Sequence, residues 1–387
     1  DAARRARGPA LAAVLETSAM SDRTEAVSLR RREPDPGCAL DRESLHPVLR
    51  RVLSGRGITT MADMDYGLRG LHRPDGLGQL DRAAARIAHA VRTDEPTLIV
   101  GDFDADGATA AAVCILALRQ FGHNDVDFVV PDRFRHGYGL SPGLVEDTLS
   151  EREATLLVTV DNGISSVRGV DAAARAGADV VITDHHLPGD RLPAAHAIVN
   201  PNASDASFPS KALAGVGVAF YTMLAVHRHL EREGWFSAGR RSPKLTDLLD
   251  LVALGTVADL VPLDYNNRIL VSQGLRRIRQ GRCRPGLAAL LTLAGRDLGR
   301  AGASDLAFSA APRLNAAGRL DDMGIGIRCL LAENESEARA AAAELHQLNE
   351  ERRRIQHDME TDALARLDEV EASRRVLVAT DPDWHQG

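Results

Sequence analysis

Cysteine is scarce: four in 387 residues, Cys38, Cys114, Cys283 and Cys329, separated by 76, 169 and 46 positions. Those spacings exclude a Cys-x-x-Cys zinc or redox pair and a dense disulfide framework, and they fit a reducing cytoplasm. No window reaches the roughly 18 consecutive apolar residues of a membrane span, and no compact apolar signal core opens the chain. A large excess of either charge is also missing: 47 Lys and Arg against 54 Asp and Glu leave a net charge of −7, so any contact with a polyanion must be local. Gly-x-Ser-x-Gly is absent, which argues against a nucleophile elbow and covalent catalysis. There is no internal repeat, and low complexity is confined to the Arg- and Ala-rich leader.

What is present is a chain of 44% hydrophobic and 26% charged residues, long enough for two to three domains with a real core. Residue 1 is Asp rather than Met, and Met20-Ser21-Asp22 has the look of an internal start. Residues 1–28 are expected to be a disordered leader; Asp1, Glu16, Asp22 and Glu25 speak against a transit peptide. At the other end, the apolar run from Arg375 to Thr380 reads as a strand with nothing to pair against, so the natural protein is expected to continue.

From residue 97 onward, short β-branched runs alternate with helical stretches. Thr97–Gly101, Val126–Val130, Thr155–Val160, Asp179–Thr183 and Ala197–Val199 read as buried strands, and Ala108–Phe121 and Ser165–Ala176 as helices between them. The alternation implies βαβ units and an α/β fold with a mainly parallel sheet flanked by helices. Residues 212–233 and 244–260 read as apolar helices. Residues 333–374, polar and free of Pro and Gly, read as a long connecting helix with a solvated face rather than a coiled coil.

The chemistry sits in the acids that follow the strands. Thr97–Gly101 delivers Asp102, Asp104 and Asp106; Thr155–Val160 delivers Asp161; Asp179–Thr183 delivers Asp184, His185 and His186. Carboxyl ends of neighbouring parallel strands share one edge, where ligands of open α/β sheets bind, so these side chains are expected to converge. Converged carboxylates repel unless a cation neutralises them, which makes a metal site the simplest reading. Carboxylates with imidazole suit Mn²⁺ or Mg²⁺. Asp259, a lone acid in the apolar stretch Ala253–Pro262, is a further contributor. A calcium loop starting at Asp102 is disfavoured, because its twelfth position is Val113 and a strand precedes it. His136, His196, His227 and His229 have no acidic strand end beside them and read as structural or exposed.

Positive charge is concentrated in three places. Residues 265–296 hold Arg268, Arg276, Arg277, Arg279, Arg282, Arg284 and Arg296 and no acid, which reads either as a phosphate-binding surface or as a solvated helix face. The segment around Arg133 and Tyr138 joins a guanidinium to an aromatic suited to base stacking, and Arg313, Asn315 and Arg319 lie among small residues that permit close approach; an ordinary surface loop is the alternative for both. Metal ions beside such arginines make phosphodiester hydrolysis the natural reaction.

Gly101–Thr109, Val160–Ser166, Thr183–Gly189 and Gly255–Leu263 resemble the four motifs of the DHH phosphoesterase superfamily. Lys211–Tyr221 and Ala311–Asp322 narrow the resemblance to its single-strand-specific 5′→3′ DNA exonucleases, from about Leu29 to the last residue. The resemblance implies a DHH catalytic domain over residues 29–332, the connecting helix 333–374, and at 375–387 the start of a truncated second domain that grips phosphate. It implies two divalent cations, Mn²⁺ or Mg²⁺: Asp104 and Asp161 on one, Asp106, Asp161, His185 and Asp259 on the other, with Asp161 bridging. His186 would face the scissile phosphate, Asp184 would orient its neighbouring imidazole and Asp102 would support the loop. Arg133 and Tyr138 would meet the 5′ end, and Arg313, Asn315 and Arg319 the strand near the scissile phosphate. Ala110 stands where many relatives have Ser. The implied setting is a cytoplasmic monomer acting on single-stranded DNA in repair and recombination, near single-strand-binding protein and a RecQ-like helicase. The alternatives are a relative acting on short oligonucleotides, cyclic dinucleotides or pyrophosphate, and a non-catalytic scaffold, against which the complete set of acids argues.

Overall fold

The computed structural model describes residues 37–42, 45–237, 239–367 and 378–385. The leader 1–28 therefore lies outside the described residues, as do 368–374 of the connector and 375–377 of the terminal run; residues 378–380 have no regular structure. The described residues divide into two compact units, one of those between 65 and 354 and a smaller one of those up to 64 together with those from 355 onward. In the smaller unit, helix α1 (Pro47–Ser54) starts on Pro47 and is capped by the His46 ring, and Asp63 accepts the amides of Thr59 and Thr60.

The larger unit is built on strands β1 (Thr97–Val100), β2 (Val126–Val129), β3 (Leu156–Val160), β4 (Asp179–Thr183) and β5 (Ala197–Val199). All pair parallel, in the order β2-β1-β3-β4-β5, so the expected α/β class and all five expected strands are present. Alternation along each strand feeds two cores. Ile99, Val158 and Val181 face one, packed by helices α2 (Leu80–Thr93), α3 (Ala105–Phe121), α6 (Gly215–Arg232) and α7 (Leu249–Ala258). Leu98, Val100, Leu157, Val180 and Ile182 face the other, beneath α4 (Pro142–Glu151) and α5 (Val167–Arg175).

Helix α3 is apolar all round because it is enclosed by sheet and helices, its small residues admitting α6 and α7 closely. It begins at Ala105, three residues before the apolar stretch that marks it in sequence, and Asp104 is its N-cap, accepting the Gly107 amide at 2.9 Å. Beyond α7 the chain adds α8 (Tyr265–Arg279), α9 (Pro285–Leu293), α10 (Ala311–Leu320), α11 (Gly324–Leu331) and α12 (Glu335–Leu367), the observed part of the expected connector. No described helix is long and apolar enough to cross a membrane.

Because β2 and β3 lie on opposite sides of β1, the chain leaves β1 and β3 toward opposite faces of the sheet. That reversal opens a crevice at their carboxyl ends. The acidic loop after β1 and Asp161 after β3 both emerge there.

Candidate metal centre

The loop from Asp102 to Asp106 carries three carboxylates, each held by different backbone amides. Asp102 accepts its neighbour's amide, Phe103 N, at 2.8 Å, and Asp104 turns to cap α3. Asp106, in the first turn of α3, is buried and receives the amides of Gly215 and Val216 at 2.7 and 2.9 Å from the start of α6. An anion at a helix N-terminus is favourable, so α6 helps hold this charge. Asp161 sits at φ 63°, a left-handed conformation that Asp tolerates better than most residues and that turns its side chain back into the crevice. After β4, Asp184 is buried and fixes the loop: it accepts the amides of Ile164, His185 and His186 and the Nδ1 of the His186 ring at 2.7 Å. Asp259 is the C-cap of α7, directly after its last residue, Ala258.

These groups meet. The Nε2 of His185 lies 3.1 Å from Asp161 Oδ1 and 3.6 Å from Asp259 Oδ2. Three sets each bring one ligating atom per residue within 4.8 Å of one another: Asp102, Asp104 and Asp161; Asp106, His185 and Asp259; Asp161, His185 and His186. Asp161 and His185 each recur in two sets, which fits a shared centre. Asp161 Oδ1 and His185 Nε2 are buried and face each other without a hydrogen-bond partner. Two such atoms aimed into a carboxylate-lined crevice are what a hard divalent cation would satisfy, so the donor set fits the expected metal.

The electrostatics agree. Burial, then the charges of its neighbours Asp104 and Asp184, push Asp102 up to about 7. Burial and Asp104 push Asp259 up to about 6. Asp106 and Asp161 are held well above the ordinary carboxylate range, first by burial and then by the surrounding acids. His185 is pushed down to about 4 by burial and by His186, which keeps its ring neutral and able to donate a lone pair. His186 is raised by its hydrogen bond to Asp184. Burial raises Asp184, but the His186 contact and the backbone amides outweigh it and leave it below the ordinary value. Without a cation the centre therefore holds protons, and a cation must displace them.

Around the acids, Tyr138 reaches in: its hydroxyl lies 3.3 Å from both the Asp161 carbonyl and His186 Nδ1, and its ring meets Phe103 edge-on. Arg133 lies over the same Phe103 ring at 4.3 Å. Asn315 accepts the Ala105 amide at 2.7 Å, tying α10 to the acidic loop. Gly318 packs on the Phe103 carbonyl, where a Cβ would come within 1.8 Å, and Arg319 is the next residue. Arg313 is different. It is buried and its Nη1 binds the Ser309 carbonyl at 2.6 Å, so it braces the turn that precedes its own helix. In the Arg-rich window, Arg277 binds Asp247, Arg279 the Ala301 carbonyl, Arg284 the carbonyls of Leu331 and Ala332, and Arg296 Asp305, so these four serve packing between helices. His136 and His229 pair with Asp147 and Glu233 on helices, and His227 with Ser242, consistent with structural roles.

Three contributors went unassigned in the sequence. Phe103 is the ring on which Arg133 and Tyr138 converge; an aromatic inside a run of acids is the signal that pointed to it. Asn162 bonds the carbonyls of Val100 and Val160 and so stitches β1 to β3 at the mouth of the crevice. Gly215 has no side chain because Asp161 fills that space: a Cβ there would lie 2.3 Å from Asp161 Oδ1.

Residues 96–256 match the family model described as DHH family, N-terminal domain. The chain is 50% identical over 366 residues to the single-stranded-DNA-specific exonuclease RecJ of Escherichia coli, covering 93% of this chain and 63% of that protein. It thus spans about 63% of the length of the curated relatives it matches first. Among solved structures, it resembles exonuclease RecJ bound to manganese, with a TM-score of 0.68 and 33% identity over 80% of this chain and 74% of that one. It also resembles RecJ of Thermus thermophilus in complex with Mn²⁺, with a TM-score of 0.72 and 32% identity over 86% of this chain and 46% of that one.

Proposed function

This chain belongs to the RecJ family of DHH proteins, and from that premise we propose that it is the catalytic part of a metal-dependent exonuclease that degrades single-stranded DNA from the 5′ end, releasing 5′ mononucleotides. The observation that carries the reading is the meeting of Asp161 Oδ1 and His185 Nε2, buried and unpartnered, among the acids of β1 and α7. Asp104 and Asp161 would hold one cation, and Asp106, Asp161, His185 and Asp259 the other; Mn²⁺ and Mg²⁺ both suit this donor set. Bound there, two divalent cations supply the charge that activates water and stabilises an in-line displacement at phosphorus.

The chain's own residues do the rest. Asp184 fixes His186 through Nδ1 and favours its protonated form, so that it presents positive charge and a proton donor to the scissile phosphate. Tyr138, hydrogen-bonded to the same ring, sets its orientation and offers a face on which a terminal base stacks. Arg133, beside Phe103, binds the 5′ end. Asn315 and Arg319 hold the strand next to the acidic loop, Asn315 through its grip on Ala105 N. In this reading residues 29–332 form the catalytic domain and 333–374 the connector, acting in the cytoplasm in repair and recombination as a monomer, close to single-strand-binding protein and a RecQ-like helicase.

The test is Mn²⁺-dependent degradation of a 5′-phosphorylated, 3′-labelled single strand, with a duplex and bis-nitrophenyl phosphate alongside. Stepwise loss of 5′ mononucleotides from the single strand alone is the expected result. Turnover of only the small ester would move the substrate to short oligonucleotides, cyclic dinucleotides or pyrophosphate and overturn the assignment.

A further inference from the structure

Imidazoles that bind a metal are ordinarily steered by a hydrogen bond on the ring nitrogen turned away from the ion. His185 lacks that support among the described residues: its Nε2 faces Asp161 and Asp259, and no described group is hydrogen-bonded to its Nδ1. Its backbone holds it instead. The His185 amide donates to Asp184 Oδ1 at 2.7 Å, and its carbonyl accepts the side-chain amide of Asn202 at 2.6 Å. The next carbonyl, that of His186, accepts Asn200 Nδ2 at 2.9 Å, while Asn200 Oδ1 accepts the Asn202 amide at 2.7 Å. Asn200 is fully buried directly after β5, and with both ends of its side chain engaged it sets where Asn202 stands.

Asn202 reaches one step further, to the Lys211 carbonyl at 3.3 Å. Lys211 returns the contact through Nζ, which donates to the carbonyls of Pro201 and, at 3.1 Å, Ala206. The carbonyl that follows, of Ala212, accepts Nδ2 of Asn267 at 2.7 Å, and the same Nδ2 donates to the Pro262 carbonyl at 3.0 Å. Asn267 is buried in the first turn of α8, its own amide pinned to Asp264 at 2.9 Å. Two consecutive carbonyls, 211 and 212, are thus clamped by two asparagines that arrive from β5 and from α8.

Each clamp leads to a metal ligand. Three and four residues after Ala212, the amides of Gly215 and Val216 hold Asp106, and Gly215 abuts Asp161. Three residues before Pro262 stands Asp259, followed by Leu260 at φ 60°, a left-handed conformation that a bulky side chain keeps only where the surroundings impose it. Asn202 itself holds His185. Asp106, Asp161, His185 and Asp259 come from four separate stretches of chain, and their supports meet at Lys211–Ala212. Asp102 and Asp104 are held elsewhere, by the amides of Phe103 and Gly107.

We propose that Asn202 and Asn267 are positioning residues for the second cation: through Lys211–Ala212 they lock its four ligands to one another, while the cation on Asp104 and Asp161 depends on them far less. The proposal rests on the two-cation reading above and adds to it residues that touch neither ion nor substrate.

The experiment is titration of the metal-free chain with Mn²⁺ at pH 7.5, followed by electron paramagnetic resonance, which counts free ion and separates a lone bound ion from a coupled pair. Asn202→Leu keeps the bulk and removes the donors; one of two binding steps should weaken about 10–100-fold, the scale for lost support of a ligand, with the other step unchanged. The lone-ion spectrum should therefore precede the coupled one in this variant. Asn202→Ala, which needs no added room, should behave alike, and a thermal melt in EDTA checks that each variant is folded. Asn267→Leu should weaken the same step, and the double variant should lose less than the product of the two single losses, because both residues clamp one segment. Asn124→Leu, just before β2 and bonded to Asp94 and the Gly122 carbonyl, is the control and should weaken neither step. Equal weakening of both steps, a loss as large in Asn124→Leu, or the full product in the double variant would overturn the proposal. No Mn²⁺ bound by the unmodified chain would sink the metal centre and the proposal together; two ions bound equally well by the parent and by the folded Asn202 variants would sink the proposal alone.

Discussion

The Asp161→Asn variant is expected to fold as the parent does and to lose roughly 10³-fold or more of its Mn²⁺-dependent cleavage, the scale attached to losing a preorganised group that stabilises reacting charge. Asn is the informative replacement because position 161 sits at φ 63°, where Asn is tolerated and Ala is strained. The side chain keeps its shape and loses its charge, so the result reports on the carboxylate and not on the backbone. Asp161 is singled out because its carboxylate atoms fall within two of the three clusters, one with Asp102 and Asp104 and one with His185 and His186, and because its Oδ1 lies 3.1 Å from His185 Nε2. Asp161→Ala should lose the same activity. The check is the rate of 5′ mononucleotide release alongside a thermal melt; more than a trace of Mn²⁺-dependent activity in either variant would show that no shared ligand stands at this position.

The second large effect is expected from a residue with no functional group. Gly215→Ala puts a methyl 2.3 Å from Asp161 Oδ1 and 2.6 Å from its Cβ and Cγ. Neither partner can yield easily. The Gly215 amide is bound to Asp106 at the start of α6, and Asp161 is fixed by its left-handed backbone. Overpacking of this kind costs about 1–3 kcal/mol. The displaced carboxylate should in addition lower metal affinity by roughly 10–100-fold, the scale seen when the support of a ligand is lost. Gly189→Ala, in the loop after His186 with nothing within 4 Å of its Cβ position, is the matched control and should change neither property. Equal metal affinity in Gly215→Ala and the parent, measured by titration calorimetry, would mean that the approach of α6 to Asp161 is not what positions this carboxylate.

Much of this site is legible in the sequence because it depends on period and position. Five short apolar runs announce parallel strands, and an acid directly after a strand must emerge at its carboxyl edge; Asp102, Asp161 and Asp184 could be placed together on that argument alone. What the pattern does not carry is how each carboxylate is held. Asp104 is also a helix cap, and Asp106 is bonded to the amides of a helix more than a hundred residues away. Both depend on tertiary packing, and local spacing is silent about it. Arg313 shows the reverse case. Its neighbours in sequence, Asn315 and Arg319, face or flank the acidic loop, yet at this point of the helix its own side chain turns inward to the Ser309 carbonyl. A helix has two sides, and a motif quoted as a string does not say which residue is on which. The Arg-rich window misleads for the same reason: charge density along the chain is visible, whereas the carbonyls that consume Arg279 and Arg284 are not.

The claim on which the account turns is that the acids at the ends of β1, β3 and α7 form a centre for two divalent cations, and titration of the metal-free chain with Mn²⁺ tests it most directly. Calorimetry at pH 7.5 should give two ions per chain, with protons released to the buffer, because burial and the surrounding acids hold Asp106 and Asp161 well above the ordinary carboxylate range and the cation must displace what they hold. At pH 5.5, below the values of about 7 and about 6 to which Asp102 and Asp259 are pushed, more protons must be displaced and affinity should fall sharply. One ion or none at pH 7.5, or binding that does not change between the two pH values, would contradict it.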